Sequence, residues 1–144
     1  MEKRTLGRTG HDSSVVILGG AAFWDAQADQ ASESFEAALA AGVNHLDVAP
    51  QYGRAEEVLG PLVGQARDRL FVACKTLRKD PAGVRAQLEE SLRRLECDSF
   101  DLYQLHAVTD LMRGEISDCH GDRRCRRSWL TGRTTTGGKK KYKP

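Results

Sequence analysis

Apolar residues in this chain fall into two alternating patterns, and the alternation itself predicts the architecture. Short unbroken runs, VVIL at 15–18, HLD at 45–47, LFVACK at 70–75 and FDLYQLH at 100–106, have strand character. Between them the apolar positions recur at helical spacing. Ala31, Phe35, Ala38 and Leu39 form one stripe, Val58, Leu59, Leu62 and Val63 a second, and Val84, Leu88, Leu92 and Leu95 a third. The first helix is expected to start from Asp29 as N-cap and to stop at Gly42. The second is expected over 54–63, kinked or shortened by Gly60-Pro61, and the third starts from Asp80 with Pro81 in its first turn. Ahead of them, residues 3–16 read as a hairpin turning at Gly7-Arg8-Thr9-Gly10.

The strand runs end at regular intervals. From Asp47 to Lys75 is 28 residues and from Lys75 to His106 is 31, and 28 residues before Asp47 lies Gly19. A period of this length, with one helix per interval, predicts consecutive βα units and hence an α/β fold with a parallel sheet. Strand alternation puts His45 with Asp47 on one face, and Phe71 and Ala73 with Lys75. It does the same for Leu102 and Gln104 with His106. In a barrel these strand ends open at the C-terminal mouth, where barrel active sites lie. Tyr52, five residues past Asp47 in the loop APQYG, is placed to fold over the same mouth.

Those four side chains, Asp47, Tyr52, Lys75 and His106, have the chemistry of carbonyl reduction. A tyrosine can protonate a developing alkoxide, but its usual pKa of ~10 is high for neutral pH. An ammonium beside it stabilises the phenolate, a carboxylate can hold that ammonium in place, and an imidazole can hydrogen-bond the carbonyl oxygen. No side chain carries a hydride, so a nicotinamide-type cofactor is required.

The stretches GVNHLDVAPQYGRAEEVLG, VACKT and LEESLRRLECDSFDLYQLH resemble the aldo-keto reductases, over about residues 3–110. The resemblance implies a (β/α)8 TIM barrel, here truncated to roughly its first four strands, and reduction of aldehydes or ketones with NADPH. It implies that Tyr52 is the proton donor, that Lys75 and Asp47 tune it, and that His106 orients the carbonyl. It further places Asp47 near the nicotinamide ribose and Gly20 and Ala21 in a loop touching the cofactor. Val48 and Cys74 stand where the family commonly has threonine. Since much of the family's grip on the cofactor comes from later strands, NADPH binding by this chain alone is expected to be weak. The rival expectation is an inactive fragment, acting at most as a non-catalytic association partner.

Charge divides the chain at the same place. The net charge of +2 is the balance of −5 over residues 1–110 and +7 over 111–144. The basic segment lacks an apolar stripe and is rich in Arg, Gly and Thr, so it is expected to be disordered and unrelated to the family. Its arginines and lysines lack the interleaved aromatics of a nucleic-acid module, which argues against nucleic acid as partner. Cys119, His120 and Cys125 match no common zinc spacing, so no metal is expected. The charged N-terminus MEKRTLGRTGHDSS has no apolar export signal and VVILGGAAFW is too short to span a bilayer. The four cysteines contain no CxxC pair. Together these features predict a cytoplasmic protein with reduced thiols acting on a small-molecule carbonyl substrate. Open edges on a four-strand sheet also predict self-association.

Overall fold

The computed structural model describes residues 1–107. The expected disordered tail at 111–144, with its basic run and its Cys119, His120 and Cys125, lies outside the described residues.

The N-terminal hairpin forms as expected, with β1 (Lys3–Thr5) antiparallel to β2 (Asp12–Ser14). Four parallel strands follow: β3 (Leu18–Gly19), β4 (His45–Asp47), β5 (Phe71–Thr76) and β6 (Leu102–Leu105). Between them run the helices α1 (Ala28–Ala40), α2 (Ala55–Ala66) and α3 (Pro81–Arg94). Spatial order equals chain order, β3-β4-β5-β6. An unreversed order is that of a (β/α) barrel; a doubly wound sheet would reverse at a switch point.

The two faces of the sheet carry different cores, as the alternation predicts. Leu46, Val48, Val72, Cys74 and Tyr103 pack against Phe35 of α1, Leu59 and Val63 of α2, and Leu88 and Leu92 of α3. The opposite face carries Phe71, Ala73 and Leu102, with Leu6 of the hairpin loop against them. The hairpin therefore covers the inner face at the N-terminal end of the strands. There His11 stacks on Phe71 with ring centroids 4.4 Å apart, and Ser13 Oγ lies 2.9 Å from His45 Nδ1.

Several boundaries depart from the expectations. VVIL does not form the first barrel strand: β3 is only Leu18–Gly19, and Val15, Val16 and Ile17 are 48%, 56% and 44% exposed. The cause is Ser14. Its amide donates to Asn44 Oδ1 at 2.8 Å and its hydroxyl to the Val16 carbonyl at 2.7 Å, which bends the chain before it joins the sheet.

Asp29 is not the N-cap of α1. Gln27 holds that place, its amide donating to Gln30 Oε1 at 3.3 Å, and Asp29 lies in the first turn. Gly42 does end the helix with φ +87°. Gly60-Pro61 does not shorten α2, which continues to Ala66 because Leu59, Gly60, Val63 and Ala66 form one buried stripe. Gly60 is required there, since a Cβ would lie 2.2 Å from the carbonyl oxygen of Arg94. Asp80 caps α3 as expected, its Oδ1 accepting from Gly83 N at 2.7 Å.

Candidate active site

The C-terminal ends of β4, β5 and β6 converge, and the backbone fixes each end. Val48 N donates to Ala73 O at 2.9 Å just past β4, and His106 N to Thr76 O at 2.8 Å just past β6. Parallel register sets Asp47 opposite Ala73 and Lys75 opposite Gln104. Lys75 thus lies two residues farther along its strand than the partner of Asp47, and its long side chain reaches back over the gap.

The turn after β4 brings Tyr52 over these ends. Tyr52 N donates to Ala49 O and Ala55 N to Tyr52 O, each at 3.0 Å. Gly53 adopts φ +56° and presses against the 3-10 turn Gly20–Phe23, where Arg54 N donates to Trp24 O at 2.8 Å. A Cβ on Gly53 would lie 2.3 Å from that same carbonyl oxygen, so the position needs glycine for both its φ and its close approach.

All four candidate side chains meet. Lys75 Nζ donates to Asp47 Oδ2 at 2.5 Å and to the Tyr52 hydroxyl at 3.3 Å, with the Val48 carbonyl oxygen at 3.4 Å. The ammonium also lies 5.0 Å from the Tyr52 ring centroid. His106 completes the group edge-on to Tyr52, with ring centroids 5.9 Å apart and planes at 90°. The Lys75 and Asp47 side chains are 13% and 26% exposed, so the pair is shielded yet open to a ligand from the mouth. Gly20 is buried at the same rim, where a Cβ would lie 2.9 Å from Val48 Cγ2 and 3.1 Å from Asp47 O. Ala21 beside it is exposed.

Two neighbours of the site carry no signal in the sequence pattern. Gln51 Oε1 lies 3.0 Å from His106 Nδ1, a contact across 55 residues. Glu56, which reads as a surface charge in the first turn of a helix, is 2% exposed. Cys74 Sγ donates to its Oε1 at 3.7 Å, and Arg94 of α3 pairs with its Oε2 at 3.4 Å. Burial holds the Glu56 carboxyl above the usual carboxylate range, against the pull of Arg94. Burial and the adjacent Glu56 push the Cys74 thiol well up, so it is a packing residue rather than a nucleophile. Among the described residues no cluster of three or more His, Cys, Asp or Glu side chains is arranged to hold a metal ion, and no helix is long and apolar enough to cross a membrane.

The model of the aldo/keto reductase family matches residues 15–113. Aldo-keto reductase YhdN of Bacillus subtilis is 32% identical over 125 residues, covering 74% of this chain and 38% of that protein. Aldehyde reductase YPR1 of Saccharomyces cerevisiae is 32% identical over 108 residues, covering 74% of this chain and 34% of that protein. The solved holo form of aldo-keto reductase AKR11C1 from Bacillus halodurans superposes with a TM-score of 0.69 at 28% identity, over 74% of this chain and 40% of that one. The chain therefore spans 34–40% of the length of these relatives.

Proposed function

This chain belongs to the aldo/keto reductase family, and from that premise we propose that Asp47, Tyr52, Lys75 and His106 form a site for NADPH-dependent reduction of a small aldehyde or ketone. The observation that carries the reading is the Lys75 ammonium held between the Asp47 carboxylate and the Tyr52 hydroxyl. A hydroxyl that is to give up its proton needs a positive charge close by when the phenolate forms. A lysine serves only if something keeps it there, and Asp47 does so at a cost already met in folding.

The residues present fit a reduced nicotinamide bound at the mouth. Asp47 Oδ2 is taken by Lys75, and Oδ1 of the partly exposed carboxylate suits a ribose hydroxyl. The turn that starts at Gly20 packs directly on the carbonyl of Asp47, which brings Ala21 to the same rim. The nicotinamide supplies the hydride, which no side chain can. Tyr52 would donate its proton to the carbonyl oxygen, Lys75 would compensate the negative charge left on the phenol, and His106 would hydrogen-bond the same oxygen.

NADPH oxidation over a panel of aldehydes, with Tyr52→Phe as comparison, tests the reading. Turnover in the parent chain that falls by ~10²–10⁴ in the variant supports it, the range for loss of a general acid. Equal turnover in both overturns the role of Tyr52, and none in either leaves the chain a non-catalytic association partner.

A further inference from the structure

β5 ends at Thr76, one residue after Lys75, and a side chain of α3 closes that end. Gln87 Oε1 accepts from the Thr76 hydroxyl at 2.6 Å and from the Leu77 amide at 3.2 Å. A backbone N–H can only donate, so the Gln87 atom that meets it is the amide oxygen, and the Thr76 hydroxyl must direct its proton to the same atom. The hydroxyl oxygen then accepts from Arg78 N, 3.0 Å away. Donor and acceptor are thus fixed in all three bonds.

Thr76 is 1% exposed and Leu77, the next residue, 47%, so the three bonds sit where the chain leaves the sheet for solvent. The carbonyl oxygen of Thr76 accepts from His106 N at 2.8 Å, just past β6. One residue therefore anchors two strand ends, Lys75 by the peptide bond and His106 by a hydrogen bond. A buried hydroxyl and an adjacent amide deprived of their acceptor must find water instead. The end of β5 has to open to let them reach it. Opening draws Lys75 away from the Tyr52 hydroxyl, 3.3 Å from its Nζ, and releases the backbone of His106.

We propose that Gln87 is a positioning residue that locks the end of β5 from α3 and, through Thr76, sets the places of Lys75 and His106 together. Its effect on turnover rests on the carbonyl-reductase reading of the site; the lock itself does not. A neutral amide oxygen suits the task, since it takes two donors at once and adds no charge beside the strand end.

Amide hydrogen exchange on the 15N-labelled full chain reads the lock directly. Gln87→Leu is expected to speed exchange at both Leu77 and His106 by about tenfold or more, with Leu46 of β4 unchanged. Gln87→Glu, which still accepts from both donors, keeps the parent rates. In aldehyde reduction Gln87→Leu is expected to lower kcat about tenfold or more with KM within about twofold, and Gln87→Glu to restore kcat. Unchanged exchange in Gln87→Leu overturns the proposal. Faster exchange confined to Leu77 also overturns it, because the lock then ends at the turn. Equal kcat in the parent and Gln87→Leu, or an equal loss in both variants, removes the positioning role. Should Gln87→Leu lose the parent far-UV circular dichroism, Gln87→Asn, one methylene shorter, takes its place. Absence of turnover in the parent chain defeats the reductase reading alone, and exchange then decides the lock.

Discussion

Lys75 Nζ and Asp47 Oδ2 lie 2.5 Å apart although the strand register pairs Asp47 with Ala73, so the ion pair runs diagonally across β4 and β5. The diagonal carries the ammonium past the end of β4 to the Tyr52 hydroxyl. Replacing Asp47 by Asn should therefore harm activity more than folding. Loss of one partner from this partly shielded pair is expected to cost about 1–3 kcal/mol, between the values for exposed and buried pairs. Aldehyde reduction by Asp47→Asn and Lys75→Met should drop by ~10² or more in kcat. Urea titration beside steady-state kinetics checks this, and a kcat loss no larger than the fraction unfolded would contradict it.

Gly53→Ala tests the turn that presents Tyr52. The left-handed backbone alone costs about 1–2 kcal/mol for a residue with a Cβ, and that Cβ would meet the Trp24 carbonyl at 2.3 Å. The turn must lift off the 3-10 segment, taking the Tyr52 hydroxyl away from Lys75. The expected outcome is a chain with native far-UV circular dichroism and a kcat reduced at least tenfold.

Gly60→Ala makes the opposite separation. Gly60 lies in α2, and its Cβ would meet Arg94 O at 2.2 Å, so α2 and α3 must part. Overpacking of this kind costs about 1–3 kcal/mol. A lower urea midpoint with an unchanged m-value is expected, and an unchanged midpoint would show that the helices separate freely.

Stability should fall on mild acidification through the two histidines at the N-terminal end of the sheet. Burial lowers the pKa of both His11 and His45, and the proximity of His11 lowers that of His45 further. The unfolded chain then binds more protons than the folded one, so stability rises with pH. The contribution is fully present above the ordinary histidine pKa of ~6.5 and is lost as pH drops from there through the lowered values. Glu56 acts with the reverse sign. Its raised pKa favours the folded state at low pH, and that gain disappears as pH climbs from the ordinary carboxylate value through the raised one. In a Glu56→Gln background the acid-side loss should therefore be steeper, as measured by urea midpoints between pH 8 and 5.

Association between chains is expected from the sheet edges. Among the described residues β3 pairs only with β4 and β6 only with β5, and Val15, Val16 and Ile17 stand exposed beside β3. Unpaired edges next to apolar surface favour strand addition. Light scattering coupled to size-exclusion chromatography should show mass rising with concentration. A constant monomer mass would remove the edges from consideration.

The parts legible in the sequence were those set by local rules. The run HLD coincides with β4 to the residue, Asp80 and Pro81 mark the start of α3, and the faces of β5 follow from strict alternation. The errors arise where a distant polar partner overrides a local pattern. VVIL has the composition of a buried strand, but Ser14 is bound to Asn44, thirty residues on, and the chain turns out to solvent first. Glu56 looks like an exposed charge favouring a helix start, and partners distant in sequence, Arg94 38 residues away and the Cys74 thiol, make its burial tolerable. Gln51 has no signature at all, because its meaning depends on which ring nitrogen of His106 it meets.

β4 is only three residues long, yet His45 at one end is joined to Ser13 of the hairpin and Asp47 at the other to Lys75. Both side chains lie on the same face with Leu46 alone between them. The base of the sheet and its mouth thus share one short spar, with no compliant segment to absorb movement. Exchanging the hairpin for that of a relative is consequently not a modular operation. A graft that shifts His45 would be felt at the ammonium beside Tyr52, so the first fourteen residues have to be chosen together with the chemistry at the far end.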